Sequence, residues 1–89
     1  NMFVWDEAKR LKVIEEHKVD FALITDVFDD AFGVYFEDFA HSTDEEIRFN
    51  LIGFSFQYGL IYVTFTYENG NIRLITAWKA EKWMVKEYE

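Results

Sequence analysis

Gly59-Leu-Ile-Tyr-Val-Thr-Phe-Thr-Tyr-Glu-Asn-Gly-Asn-Ile-Arg-Leu-Ile-Thr-Ala77 decides how the chain folds. Two β-branched and aromatic runs flank Asn69-Gly70, a pair suited to the left-handed backbone of a two-residue type I′ hairpin loop. That loop sets Glu68 opposite Asn71, then Tyr67 opposite Ile72, Phe65 opposite Leu74 and Val63 opposite Thr76. Upstream, Ile47 to Phe56 is expected to turn at Tyr58-Gly59, with Phe56 opposite Ile61, Phe54 opposite Val63 and Ile52 opposite Phe65. Side chains alternate along a strand, so this register assigns Ile52, Phe54, Phe56, Ile61, Val63, Phe65, Ile72 and Leu74 to the inner face. Leu51, Gly53, Ser55, Tyr62, Thr64, Thr66, Arg73 and Ile75 take the other face. That face is mixed in polarity and is where a partner or substrate is expected.

Working outward, Met2 to Trp5 reads as a short edge strand. Asp6 is placed to cap a helix in which Ala8, Leu11 and Ile14 recur at helical spacing, ending near His17-Lys18. Asp20 caps a second predicted helix with an inner stripe of Phe21, Ile24, Val27 and Phe28. Asp29-Asp30 ends it, because negative charge is unfavourable at a helix C-terminus. Gly33 to Phe39 reads as a strand, and His41 to Glu45 as a polar turn into the meander. From Lys79 the period turns helical again through Ala80, Trp83, Met84, Val85 and Tyr88. The expected fold is α+β: an antiparallel sheet of four to five strands, two N-terminal helices on one face, and a C-terminal helix.

Residues 1–89 are the length of one domain, and ten Phe, five Tyr and three Trp supply the apolar area so short a chain needs. The absence of cysteine rules out disulfides and thiolate metal sites. No apolar run is long enough to span a membrane and no secretory signal is visible, so a cytoplasmic protein is expected. Asn1, ahead of Met2, reads as a remnant of an expression tag. The net charge of −8 is concentrated: eight acids and no Lys or Arg lie between Phe21 and Ile47. The remaining nine acids are balanced by the nine Lys and Arg, so a basic patch for RNA and an acidic lobe for a basic protein are compatible. No His/Asp pair has metal-ligand spacing, and Asp29-Asp30 reads as solvated.

Several pieces, in order, carry a resemblance: Trp5-Asp-Glu-Ala-Lys9; His17 and Val19-Asp-Phe21; Val27-Phe28-Asp29-Asp30; His41. Then come Glu46-Ile-Arg48 with Gly53, and Ile72-Arg-Leu-Ile-Thr-Ala77 running to Lys79-Ala80 and Tyr88. Over nearly its whole length the chain resembles the BrnT-type toxins, ribonucleases of type II toxin–antitoxin pairs. The resemblance implies a RelE-like fold, metal-independent mRNA cleavage without a cofactor, and neutralisation by a small cognate antitoxin. It also implies repression of the pair's own promoter through the antitoxin, in a hetero-oligomer; a homodimer is the other assembly considered.

Cleavage by a ribose 2′-OH needs a base, an acid and cations facing the phosphate. By matching position, the resemblance nominates Lys9, His17, Glu46, Arg48 and Arg73 for catalysis and His41 and Lys79 for RNA binding; Trp78, as a base-stacking ring, and Lys82, as a stand-in cation, complete the RNA-binding candidates. Lys9 and His17 lie two turns apart and share a helix face. In the expected register Arg73 projects beside Thr64 and Thr66 while Arg48 falls on the opposite face, so the two arginines do not converge. Three positions depart from the family pattern: Trp78 and Asn69 stand where arginines are usual, and Lys18 where a glycine is usual. The competing reading is therefore a catalytically impaired toxin homologue acting as a protein-interaction or co-repressor module. A generic homodimeric module using the open sheet face is the third.

Overall fold

In the computed structural model, which describes residues 2–89, the fold is carried by one five-stranded mixed sheet. Asn1 lies outside the described residues. In chain order the elements are β1 (Phe3–Val4), α1 (Glu7–His17), β2 (Val34–Glu37), β3 (Arg48–Ser55), β4 (Gly59–Glu68), β5 (Asn71–Lys79) and α2 (Lys82–Tyr88). The strands lie β1-β5-β4-β3-β2; β1 joins parallel to β5 and the other pairings are antiparallel. No helix among the described residues is long and apolar enough to cross a membrane.

The Asn69-Gly70 loop forms with both residues at positive φ, 54° and 79°, and pairs Glu68 with Asn71, Tyr67 with Ile72 and Phe65 with Leu74. Beyond that point the ladder slips. Thr64 faces Thr76, which leaves Ile75 as the extra residue of a β-bulge and pairs Val63 with Ala77, where Thr76 was expected. The bulge reverses the parity of the rest of β5, so Thr76 and Trp78 share a face with Arg73.

The β3–β4 pairing differs from expectation by three residues. Phe54 faces Leu60, Ile52 faces Tyr62, Phe49 faces Phe65 and Arg48 faces Thr66. The cause is the turn: Ser55 Oγ accepts from the amides of Gln57 and Tyr58 at 3.2 and 3.1 Å, and Gly59 takes φ +80°. These bonds close a three-residue loop, Phe56 to Tyr58, where the sequence suggested a turn at Tyr58-Gly59. An odd shift inverts every residue of β3. Leu51, Gly53 and Ser55 therefore turn to the core, while Phe54 and Phe56 end 46% and 89% exposed.

The core lies on the face holding Leu51, Ile61, Val63, Phe65, Leu74 and Ala77. Val13 of α1 packs there with Val19, Phe21, Ile24 and Val27. Leu11, expected inside, is 57% exposed, because the inward stripe of α1 is centred on Val13. The second predicted helix is instead two 3₁₀ turns, Phe21–Leu23 and Thr25–Asp29. Its expected cap and stripe persist: Asp20 accepts from the Ala22 amide, and Phe21, Ile24 and Val27 are fully buried. Gly53 is what lets the second turn sit so close, since a Cβ there would lie 3.2 Å from the Val27 carbonyl oxygen.

Two carboxylates extend the edge of β3 past the end of β2. Asp30 Oδ2 accepts from the Phe54 amide and Asp26 Oδ2 from the Phe56 amide, each at 2.9 Å. Tyr88 at the end of α2 donates to the same Asp30 oxygen at 2.7 Å. On the other sheet face, Met84 of α2 is buried with Ile52 and Tyr62, covering one end and leaving the rest open.

Candidate active site

The open face is the one on which β3, β4 and β5 present Arg48, Asn50, Tyr62, Thr64, Thr66, Arg73, Thr76 and Trp78. A hollow of about 310 Å³ sits there, at the lower end of the ~300–1,000 Å³ usual for ligand sites. Its walls are Lys9, Asp38, His41, Arg48, Tyr62, Thr64, Ile75, Thr76 and Trp78. The bulge explains why both Ile75 and Thr76 reach it. Thr64 Oγ1 donates to Asn50 Oδ1 at 2.7 Å, so the polar floor is fixed internally.

Arg48 and Arg73 converge, contrary to the sequence expectation, because both stand opposite Thr66 once the register is shifted. Glu46 joins them: Arg48 Nε donates to Oε1 at 2.7 Å and Arg73 Nη2 to Oε2 at 2.6 Å. The carboxyl is held below the usual glutamate range, chiefly by the Arg48 hydrogen bond, with the charges of Arg73 and Arg48 adding to it against desolvation. Arg73 Nε also lies 3.3 Å from Glu68 Oε1. Arg48 borders the hollow, and Glu46 and Arg73 continue from it as a relay of opposite charges.

His41 closes a 3₁₀ turn, Phe39–His41, whose cap position is Asp38. Residues three apart eclipse in that geometry, which brings His41 Nδ1 to 3.0 Å from Asp38 Oδ2. With Nδ1 engaged by the carboxylate, Nε2 is the ring nitrogen left for a substrate. Asp38 was not among the residues singled out from the sequence; an Asp-x-x-His spacing was its only signal.

Lys9 reaches the hollow from α1, and His17, two turns on, rests against Trp78 with ring centroids 5.5 Å apart. Trp78 is stacked on Tyr62 at 4.8 Å and 15° between planes. It is flanked by Tyr62 on the β4 side and His17 on the α1 side, and its Nε1 is buried with no hydrogen-bond partner among the described residues. Burial pushes the Tyr62 phenol up to about 12, aided by the nearby Asp38 charge, so it stays a neutral hydroxyl. Lys79 points to the other face at the end of β5 and Lys82 opens α2; neither borders the hollow. Among the described residues no cluster of His, Cys, Asp or Glu is arranged to hold a metal ion.

Residues 5–83 match the family described as "Ribonuclease toxin, BrnT, of type II toxin-antitoxin system". Among solved structures, the chain is similar to the Brucella abortus ribonuclease toxin BrnT, with a TM-score of 0.70 and 25% sequence identity. The match covers 92% of this chain and 100% of that one. No curated protein sequence matches. A family match across nearly the whole chain, with the same fold in a solved toxin, makes this protein a member of the BrnT family of ribonuclease toxins of type II toxin–antitoxin systems.

Proposed function

We propose that the chain is a metal-independent endoribonuclease that cleaves mRNA in the cytoplasm and is neutralised by a cognate antitoxin. The observation that carries this reading is the meeting of Lys9, His41 and Arg48, from three separate elements, around one hollow on the polar sheet face. In the proposed reaction the ribose 2′-oxygen bonds to phosphorus as the bond to the 5′-oxygen breaks. His41 Nε2 takes the 2′ proton while Asp38 holds the ring in orientation. Arg48 and Lys9 face the charge that grows on the phosphoryl oxygens, and Glu46 with Arg73 positions the Arg48 guanidinium. Lys9 and His17 are the two groups assigned to protonating the departing oxygen. Trp78 and the neighbouring Tyr62 form the wall for a base, and Lys79 and Lys82 serve as more distant backbone contacts for RNA. The architecture is taken as RelE-like on the same grounds.

A second reading keeps the antitoxin-binding role and drops catalysis. Its support is specific: Glu46 already neutralises both arginines, and Trp78 stands where the family usually has an arginine. Inducing the gene alone in bacteria separates the two. Growth arrest with fragmented mRNA, abolished by Arg48→Ala and by His41→Ala, is expected for the enzyme. Normal growth with tight binding of the antitoxin is expected for the module.

A further inference from the structure

A second hollow, of about 380 Å³, shares no wall with the first; Asp26, Asp29, Asp30, Phe32, Phe54 and Phe56 line most of it. Phe32 is 76% exposed and Phe56 89%, and Phe54 meets Phe56 edge to face with centroids 5.7 Å apart. Exposed aromatic rings in one contiguous patch are unusual on a chain that has a sheet core to bury them in. Phe54 and Phe56 stand outside because the Ser55 turn sets the β3 register, and the flanking carboxylates hold that edge in place. Asp26 and Asp30 are fixed by the Phe56 and Phe54 amides, so their charges are preorganised around the rings. No Lys or Arg occurs between Phe21 and Ile47 to offset this charge.

An aromatic centre inside a negative rim selects its occupant. RNA and anionic lipid are repelled, whereas a protein segment with an apolar anchor flanked by Lys or Arg is complementary at every point. We propose that this patch docks such a basic, apolar-anchored segment of the antitoxin, away from the RNA hollow; the identity of the partner rests on the functional reading above. The antitoxin then grips the toxin at a surface separate from the one that meets RNA. Aromatic anchors of this kind carry a disproportionate share of binding energy.

The test uses the full-length protein and the small protein encoded beside it, purified separately. Affinity is measured by calorimetry at low and high salt for wild type, for Phe32→Ser combined with Phe56→Ser, and for Asp29→Lys. RNA cleavage by each free toxin is recorded in parallel. The double variant is expected to bind at least 100-fold more weakly and Asp29→Lys about 10-fold, with RNA cleavage unchanged. The salt dependence of binding should be reduced in Asp29→Lys. Binding of both variants within twofold of wild type overturns the surface and leaves the toxin reading intact. A wild-type protein that neither cleaves RNA nor binds its neighbour overturns both. A wild-type dimer that becomes monomeric in the double variant, with unchanged affinity for the neighbour, assigns the patch to self-association and also overturns the proposal.

Discussion

The two faces of the one sheet divide the work of this molecule. On one, Leu51, Ile61, Val63, Phe65 and Leu74 meet Val13 and the two 3₁₀ turns with almost no exposure. On the other, Arg48, Thr64, Thr76 and Trp78 surround a hollow, and α2 covers only the Ile52 end. Neighbours in sequence thus serve opposite ends: Phe65 is core, while Thr64 floors the hollow and Thr66 lies on the same face. A strand's period of two keeps these roles apart. Substitutions on one face should therefore move stability, and on the other, activity.

The largest expected effect breaks the core side. Phe65→Ala should cost about 3–5 kcal/mol of unfolding free energy in a denaturant titration, enough to leave much of so small a domain unfolded. Next comes the open face. Arg48→Ala should slow RNA cleavage about 10²–10³-fold, or roughly 3–4 kcal/mol of transition-state stabilisation, while the unfolding midpoint barely moves. Equal losses of stability and activity in that variant would blur the division of faces.

A smaller effect sharpens the contrast at the sheet edge. Asp30→Asn weakens three charge-assisted hydrogen bonds, to Tyr88 and the Phe54 and Phe32 amides, and should cost about 2 kcal/mol by chemical denaturation. The Tyr88 hydroxyl, more than the two amides, holds the Asp30 carboxyl below its ordinary range. Its contribution is therefore fully present above the unfolded value of ~3.9 and is lost as pH falls below that, through the lowered native value. Wild type should lose stability across that acid window more steeply than Asp30→Asn. The smallest effect lies at the end of α1. Lys18 caps it at φ 60°, so Lys18→Gly should raise stability by about 1 kcal/mol, less whatever the Lys18 Nζ bond to the Glu15 carbonyl contributes.

How far the sequence could be read depended on whether a local signal existed. Asn69-Gly70 set its hairpin loop, Asp6 and Asp20 accepted the amides expected of caps, and α1 ended at His17. The Ile75 bulge left no such mark, and the β3 register hinged on a serine hydroxyl folding back on its own turn. Parity then propagated the error: one odd shift misplaced Phe54 and Phe56 and hid the convergence of Arg48 with Arg73. In the site, the spacing of Lys9 and His17 was legible because helical geometry is regular. Asp38 was not, because a single 3₁₀ turn made it a neighbour of His41.

RNA should meet the polar sheet face, with Lys79 and Lys82 as outlying contacts, and leave the Phe32–Phe56 patch untouched. A short RNA with a 2′-deoxy substitution at the cleaved position blocks the reaction and can be titrated while backbone amide signals are followed by NMR. Shifts should concentrate at Lys9, Asp38, His41, Arg48, Thr76 and Trp78, with Phe32 and Phe56 unmoved. Shifts centred on Phe32, Phe54 and Phe56, or none at all with an RNA that the protein cleaves in its unmodified form, would contradict that placement of RNA.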